Sequence, residues 1–125
     1  MGGIIGTTLR WAVITAAPQP TGFPWPVFAI NVAGSLVVGA ALGEEWGHPG
    51  RRLLLHDGIG IGFCGGLTTF STFAVEMATF LRSGRPGLAI VYLVASVVAG
   101  LAAAVLGAAA LRRVRALTLP LEEAP

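Results

Sequence analysis

The stretch Gly65-Gly66-Leu67-Thr68-Thr69-Phe70-Ser71-Thr72-Phe73 carries hydroxyl residues at 68, 69, 71 and 72 and phenylalanines at 70 and 73. A lipid-facing or purely packed helix has little reason to combine them. The edge of an aromatic ring is the positive end of its quadrupole, so Phe70 and Phe73 can attract an anion weakly, without the grip of Lys or Arg. Weak sites are what permeation needs. The hydroxyls of Thr68, Thr69, Ser71 and Thr72 add donors that replace lost hydration, and carbonyls freed by an interrupted helix can instead hold a cation. The bland alternative for Phe70 and Phe73 is packing at i, i+3 spacing.

Polar or small residues also recur four apart, which places them on one helix face. Asn31, Ser35, Gly39 and Gly43 form one such row, Gly58, Gly62 and Gly66 a second, and Tyr92, Ser96, Gly100 and Ala104 a third. Small residues at this spacing let membrane helices approach closely. Asn31, Tyr92 and Ser96 bring hydrogen-bonding capacity besides, so the rows can equally line a narrow polar path. Glu76 lies one turn beyond Thr72 on the same face, and both an intramembrane and an interfacial role stay open for it. Arg10 either snorkels to the interface or pairs internally. His48 and His56 read as solvated, and Cys64 as a small apolar filler.

These groups must be held by helices in a bilayer. The chain has 125 residues, is 54% hydrophobic and only 11% charged, and its mean hydropathy is +0.78. Soluble domains carry about 25% charged residues. No charge occurs in residues 11 to 43, 58 to 75 or 86 to 111, and each run can supply the roughly 20 apolar residues of a transmembrane helix. The net charge of +2 comes from arginines spread along the chain, which is no nucleic-acid footprint. A single cysteine excludes an internal disulfide. Nothing in the pattern suggests an enzyme.

The expected fold is an all-α membrane protein with one integral domain over residues 1–125 and four transmembrane helices. Prolines at 18, 20, 24 and 26 divide the first run into helices of about 3–17 and 23–45. The stretch from Glu44 to Arg52 reads as an aqueous loop. From 53 to 82 a continuous helix would measure about 45 Å against a hydrocarbon core of about 30 Å. Gly58, Gly60, Gly62, Gly65 and Gly66 followed by Thr68-Thr69 predict a break near 64–70. Irregular backbone at membrane depth survives only where protein or water satisfies it, so the break is a candidate site. A fourth helix over 88–111 and a polar tail over 112–125 complete the chain. Arg10 interrupts the apolar core that a secretory signal peptide would need, so the N-terminal segment is expected to stay.

At this level of detail the chain resembles the CrcB/Fluc fluoride channels. The residues that carry the resemblance are Gly2-Gly3-x-x-Gly6-x-x-x-Arg10, Asn31-x-x-Gly34-Ser35, the string from Gly62-Phe63-Cys64 through Phe73, and Tyr92-x-x-x-Ser96. The helix 3 string is the specific part, and together the motifs span most of the chain. The resemblance implies two four-helix subunits in antiparallel orientation in the cell membrane, enclosing two fluoride pores. Phe70 and Phe73 would supply ring edges, Asn31 an amide donor, and Ser71, Thr72, Tyr92 and Ser96 further polar lining. It also implies a structural Na⁺ at the dimer axis, held by the backbone carbonyls of Gly65 and Thr68. The activity would be passive efflux that relieves fluoride toxicity, since a weak acid enters as neutral HF, dissociates inside, and leaves as an anion.

Arg51, Arg52, Arg112, Arg113 and Arg115 fall on one side of this topology, against Arg82 and Arg85 opposite. Such a bias opposes insertion in both orientations. The partner is therefore either a second copy or a paired homologous subunit of opposite orientation. A small four-helix multidrug or cation transporter is the competing reading, but it needs a carboxylate deep in helix 1, and residues 1–17 contain none. A non-transporting membrane assembly subunit is the third.

Overall fold

Long runs of Ala, Leu, Val and Ile without internal charge leave the backbone no partner but itself in a bilayer, and helix is the local solution. A computed structural model describes residues 1–17, 22–43 and 49–118, and the secondary structure among them is helical. Helix α1 spans Gly2–Ala16 and α2 spans Trp25–Leu42. A single turn, α3, covers Pro49–Arg51 and leads into a π-helical segment, Arg52–Phe63. Then follow α4, Cys64–Leu67, α5, Phe70–Arg82, and α6, Pro86–Thr118. Three helical stretches are long and apolar enough to cross a membrane: Trp25–Leu42, Arg52–Arg82 with its interruption, and Pro86–Leu117. The protein is a multi-pass membrane protein. Helix α1, with 15 residues, is about 22 Å long.

The interruption expected across 64–70 is confined to Thr68 and Thr69, whose backbones are extended (φ −74°, ψ 154° and φ −144°, ψ 119°). The glycines expected to cause it are themselves helical. They serve close packing instead: a Cβ on Gly2 would strike the Gly58 carbonyl, one on Gly6 the Phe63 carbonyl, and one on Gly66 the Gly3 carbonyl. So α1 lies backbone to backbone against the π-helical segment and α4. Helices α2 and α6 meet in the same way, Gly39 against the Ala104 carbonyl and Gly107 against that of Leu36. Small residues give membrane helices this proximity where no hydrophobic force draws them together.

Two other boundaries differ from expectation. The last helix runs on to Thr118 rather than ending at 111, because Arg112, Arg113 and Arg115 are good helix formers whose charge suits a helix C-terminus. The polarity changes there and the helix does not. The segment expected as an aqueous loop is helical from Pro49 onward, with Glu44 to His48 outside the described residues, as are the turn at 18–21 and the tail at 119–125. Between α5 and α6 the chain closes with a left-handed Gly84 (φ 68°). The Arg85 N–H reaches the Phe80 carbonyl at 2.8 Å and the Gly84 N–H reaches that of Leu81 at 3.2 Å, the paired bonds of a Schellman cap.

Candidate functional site

Two extended residues inside a membrane must find partners for their backbone groups, and neighbouring helices supply them. From α2, the Asn31 carboxamide contacts Thr69 twice: Nδ2 donates to the Thr69 carbonyl at 3.1 Å, and Oδ1 accepts from the Thr69 N–H at 2.9 Å. From α1, Arg10 Nη1 donates to the Thr68 carbonyl at 3.0 Å. Arg10 thus pairs internally. Sequence alone left that open, although a half-buried cation in a helix with no acidic neighbour has only carbonyls to turn to.

The hydroxyls complete the break. Thr69 caps α5, its Oγ1 accepting from the Thr72 N–H at 3.2 Å, and the same atom lies within hydrogen-bond distance of Ser71 Oγ (3.2 Å) and Thr72 Oγ1 (3.1 Å). Thr68 Oγ1 donates back to the Cys64 carbonyl at 2.9 Å, and Ser35 Oγ to that of Asn31 at 2.9 Å. Each of these hydroxyls stabilises the interrupted backbone or its neighbour on α2. Thr69, which caps the restarted helix, is not among the pore residues that sequence reasoning selected, though an S/T-x-x-T pattern after a glycine-rich stretch signals such a cap.

In front of the break lies an open groove of about 530 Å³. Asn31 and Ser35 of α2, Thr68 and Thr69 of the break, Phe70 and Phe73 of α5, and Ser96 and Gly100 of α6 line it with aliphatic neighbours. Asn31, Phe70, Phe73 and Ser96 from the expected pore set therefore line one groove. Ser71 and Thr72 sit beside it on the first turn of α5, and Tyr92 stands behind. The Tyr92 side chain is fully buried, with ring centroids at 4.8 Å from Phe73, 5.3 Å from Phe23 and 6.2 Å from Phe80. Its hydroxyl donates to Glu76 Oε2 at 2.7 Å, which links the two polar groups within the helix pair. Phe70 is 80% exposed, with its ring centroid 6.0 Å from that of Phe73.

The break also bears on cation binding. The Thr69 N–H, which an unbroken helix would direct to the Gly65 carbonyl, goes to Asn31 instead. The Gly65 carbonyl is thereby released, and a Cβ built at Gly65 meets nothing within 4 Å. Among the described residues no cluster of His, Cys, Asp or Glu could hold a metal. What the break offers is neutral oxygen, which suits a hard monovalent ion. The Thr68 carbonyl already accepts from Arg10, and its second lone pair is what it can offer a cation.

The family described as CrcB-like protein, Camphor Resistance (CrcB), matches residues 1–108. The chain belongs to the CrcB family. Among relatives, it is 46% identical over 107 residues to fluoride-specific ion channel FluC 2 of Rhodococcus jostii, covering 86% of this chain and 90% of that one. It is 42% identical over 118 residues to fluoride-specific ion channel FluC 1 of Mycolicibacterium paratuberculosis, covering 91% and 87%. Fluoride-specific ion channel FluC of Novosphingobium aromaticivorans is 42% identical over 121 residues, covering 91% and 93%. The part matched as CrcB contains Arg10, Asn31, the broken helix and Ser96, which together build the groove and its support, and ends before Arg112.

Proposed function

We propose that this chain forms a fluoride-selective channel that lets cytoplasmic fluoride leave passively and so relieves its toxicity. The observation that carries the reading is the groove of a CrcB-family chain, which an amide, serines and two phenylalanine rings line together with a helix break. Ring edges and neutral donors attract a small anion weakly, and none of the described residues lining the groove is a Lys or Arg that would trap it. That relatives of this CrcB-family chain are fluoride-specific ion channels supports transport over catalysis.

Helix α1 serves as the fourth span in this reading, and the functional unit is an antiparallel pair. The open groove supports the pairing, because its amide and hydroxyl groups would face lipid unless a second subunit closed over them. The arginine bias opposes insertion of one sequence both ways and so favours a paired homologous subunit over a second copy. Phe70, Phe73, Asn31 and Ser96 would border the ion directly, with Ser71, Thr72 and Tyr92 completing the polar lining. The backbone carbonyls of Gly65 and Thr68 would hold a structural Na⁺ where the two breaks meet, and that ion would neutralise carbonyl dipoles facing one another across the axis. Fluoride efflux from proteoliposomes of the purified chain, read with a fluoride electrode and compared with chloride, tests the proposal. Fluoride release with chloride retained is expected. Equal release of both ions rejects it, as does release of neither both from this chain alone and from this chain combined with its paired homologous subunit.

A further inference from the structure

The end of the molecule away from the Gly84 turn carries a basic surface that the groove does not use. Helices α2 and α6 run parallel, Gly39 beside Ala104 and Gly43 beside Ala108, so both reach this end together. The π-helical segment starts there, with Gly60 packed on Ala41 and Leu42 and Arg52 about two turns further out. Arg112 and Arg113 follow Ala108 by about one turn. The side chains of Arg52, Arg112 and Arg113 are exposed. The ion pair among the described residues is His56 with Asp57, which leaves Arg112 and Arg113 uncommitted.

The length of α6 sets their depth. Its 33 residues measure about 50 Å, against about 30 Å of hydrocarbon and 40–45 Å with the headgroup layers. With Pro86 at the opposite interface, Arg112 and Arg113 come about 40 Å along the helix, at headgroup level. We infer that this end, built on Arg112 and Arg113 with Arg52 at the same level, binds the headgroups of anionic phospholipids. Guanidinium groups suit phosphate because their planar donors match two oxygens at once. The C-terminal end of a helix itself repels anions, so the side chains alone must supply the attraction. The inference rests on the membrane span of α6 and is independent of which ion the groove conducts.

The test is lipid retention by the full chain. The protein is reconstituted in vesicles of equal phosphatidylglycerol and phosphatidylcholine, extracted gently, and its bound lipids are counted by native mass spectrometry. Phosphatidylglycerol is expected to be enriched over phosphatidylcholine. Neutralising one arginine as Arg113→Gln is expected to reduce the enrichment roughly fivefold, and R112Q/R113Q to reduce it further, while R112K/R113K retains most of it. Unchanged circular dichroism of the glutamine variants keeps the comparison valid. Equal retention of both lipids by the wild type, or enrichment unaffected by R112Q/R113Q, overturns the inference. So does displacement of the lipid by inorganic phosphate at constant ionic strength, which would mark a site for a soluble anion.

Discussion

The side chain of Asn31 grips the backbone of Thr69 from both sides: its Oδ1 takes the N–H that lost its helical acceptor, and its Nδ2 adds a bond to the C=O that opens α5. The break is therefore held from α2 as well as capped from within α5. Asn31→Leu is expected to leave the Thr69 N–H unpartnered, at about 1–3 kcal/mol, and to lower thermal stability in detergent together with fluoride flux. Asn31→Asp keeps the acceptor for the Thr69 N–H and loses the donor, so its loss is expected to be different in kind, with flux impaired beyond what stability explains. A leucine variant as stable and as active as the wild type would remove Asn31 from both roles.

Phe70 and Phe73 differ in what they contribute to the fold. Phe70 is largely exposed, whereas Phe73 packs on Tyr92. Phe70→Ile is expected to leave unfolding unchanged and Phe73→Ile to cost about 1 kcal/mol beyond the change in buried area, from the lost aromatic pair. Both are expected to cut fluoride efflux sharply, because isoleucine retains bulk and has no ring edge. Full flux in both variants would reduce the rings to packing.

Arg10 reaches from α1 to the Thr68 carbonyl. Arg10→Ala leaves that oxygen without its donor at membrane depth, where an unsatisfied group costs several kcal/mol. A clear drop in melting temperature is expected, with partial recovery in Arg10→Lys, which restores a charged donor but not the planar fork. A wild-type melting temperature in the alanine variant would mean that the contact carries no stability.

Adjacent glycines are expected to fail differently. A Cβ at Gly66 would strike the Gly3 carbonyl and crowd Thr7, while Gly65 faces open space. Gly66→Val should therefore disturb the packing of α1 within one chain, seen as loss of helical signal or aggregation on size exclusion. Gly65→Val should keep the single-chain fold and lose pairing, bound Na⁺ and flux, since the obstruction arises only against a partner. Thr68→Ser preserves the backbone carbonyl and should retain the ion, measured by binding of radioactive sodium. A sodium current accompanying fluoride would contradict a structural role for Na⁺.

Membrane location was legible in the sequence because it follows from sums: few charges and long uncharged runs decide the solvent regardless of arrangement. The proximity of small residues was legible too, since spacing by four places Gly39 and Gly43 on one helix face whatever the neighbour is. The place of the helix break was harder. Glycine propensity points to the whole stretch from 58 to 66, yet those glycines are helical, and at Gly60, Gly62 and Gly66 α2 or α1 lies close enough to exploit the missing side chain.

The sequence by itself determined that Thr68 and Thr69 could leave a helix, that Phe70 and Phe73 share a turn of α5, and that Arg10, Asn31 and Glu76 had to find partners or water. Their partners came from elements 16 to 58 residues away in the chain: Tyr92 for Glu76, Thr69 for Asn31, and Thr68 for Arg10. A residue's type states how many hydrogen bonds it must make, and local periodicity states which face of its helix it occupies. Which backbone group stands opposite depends on how several helices stack at once, so the donors that replace a broken helix's own bonds were decided only by the tertiary structure.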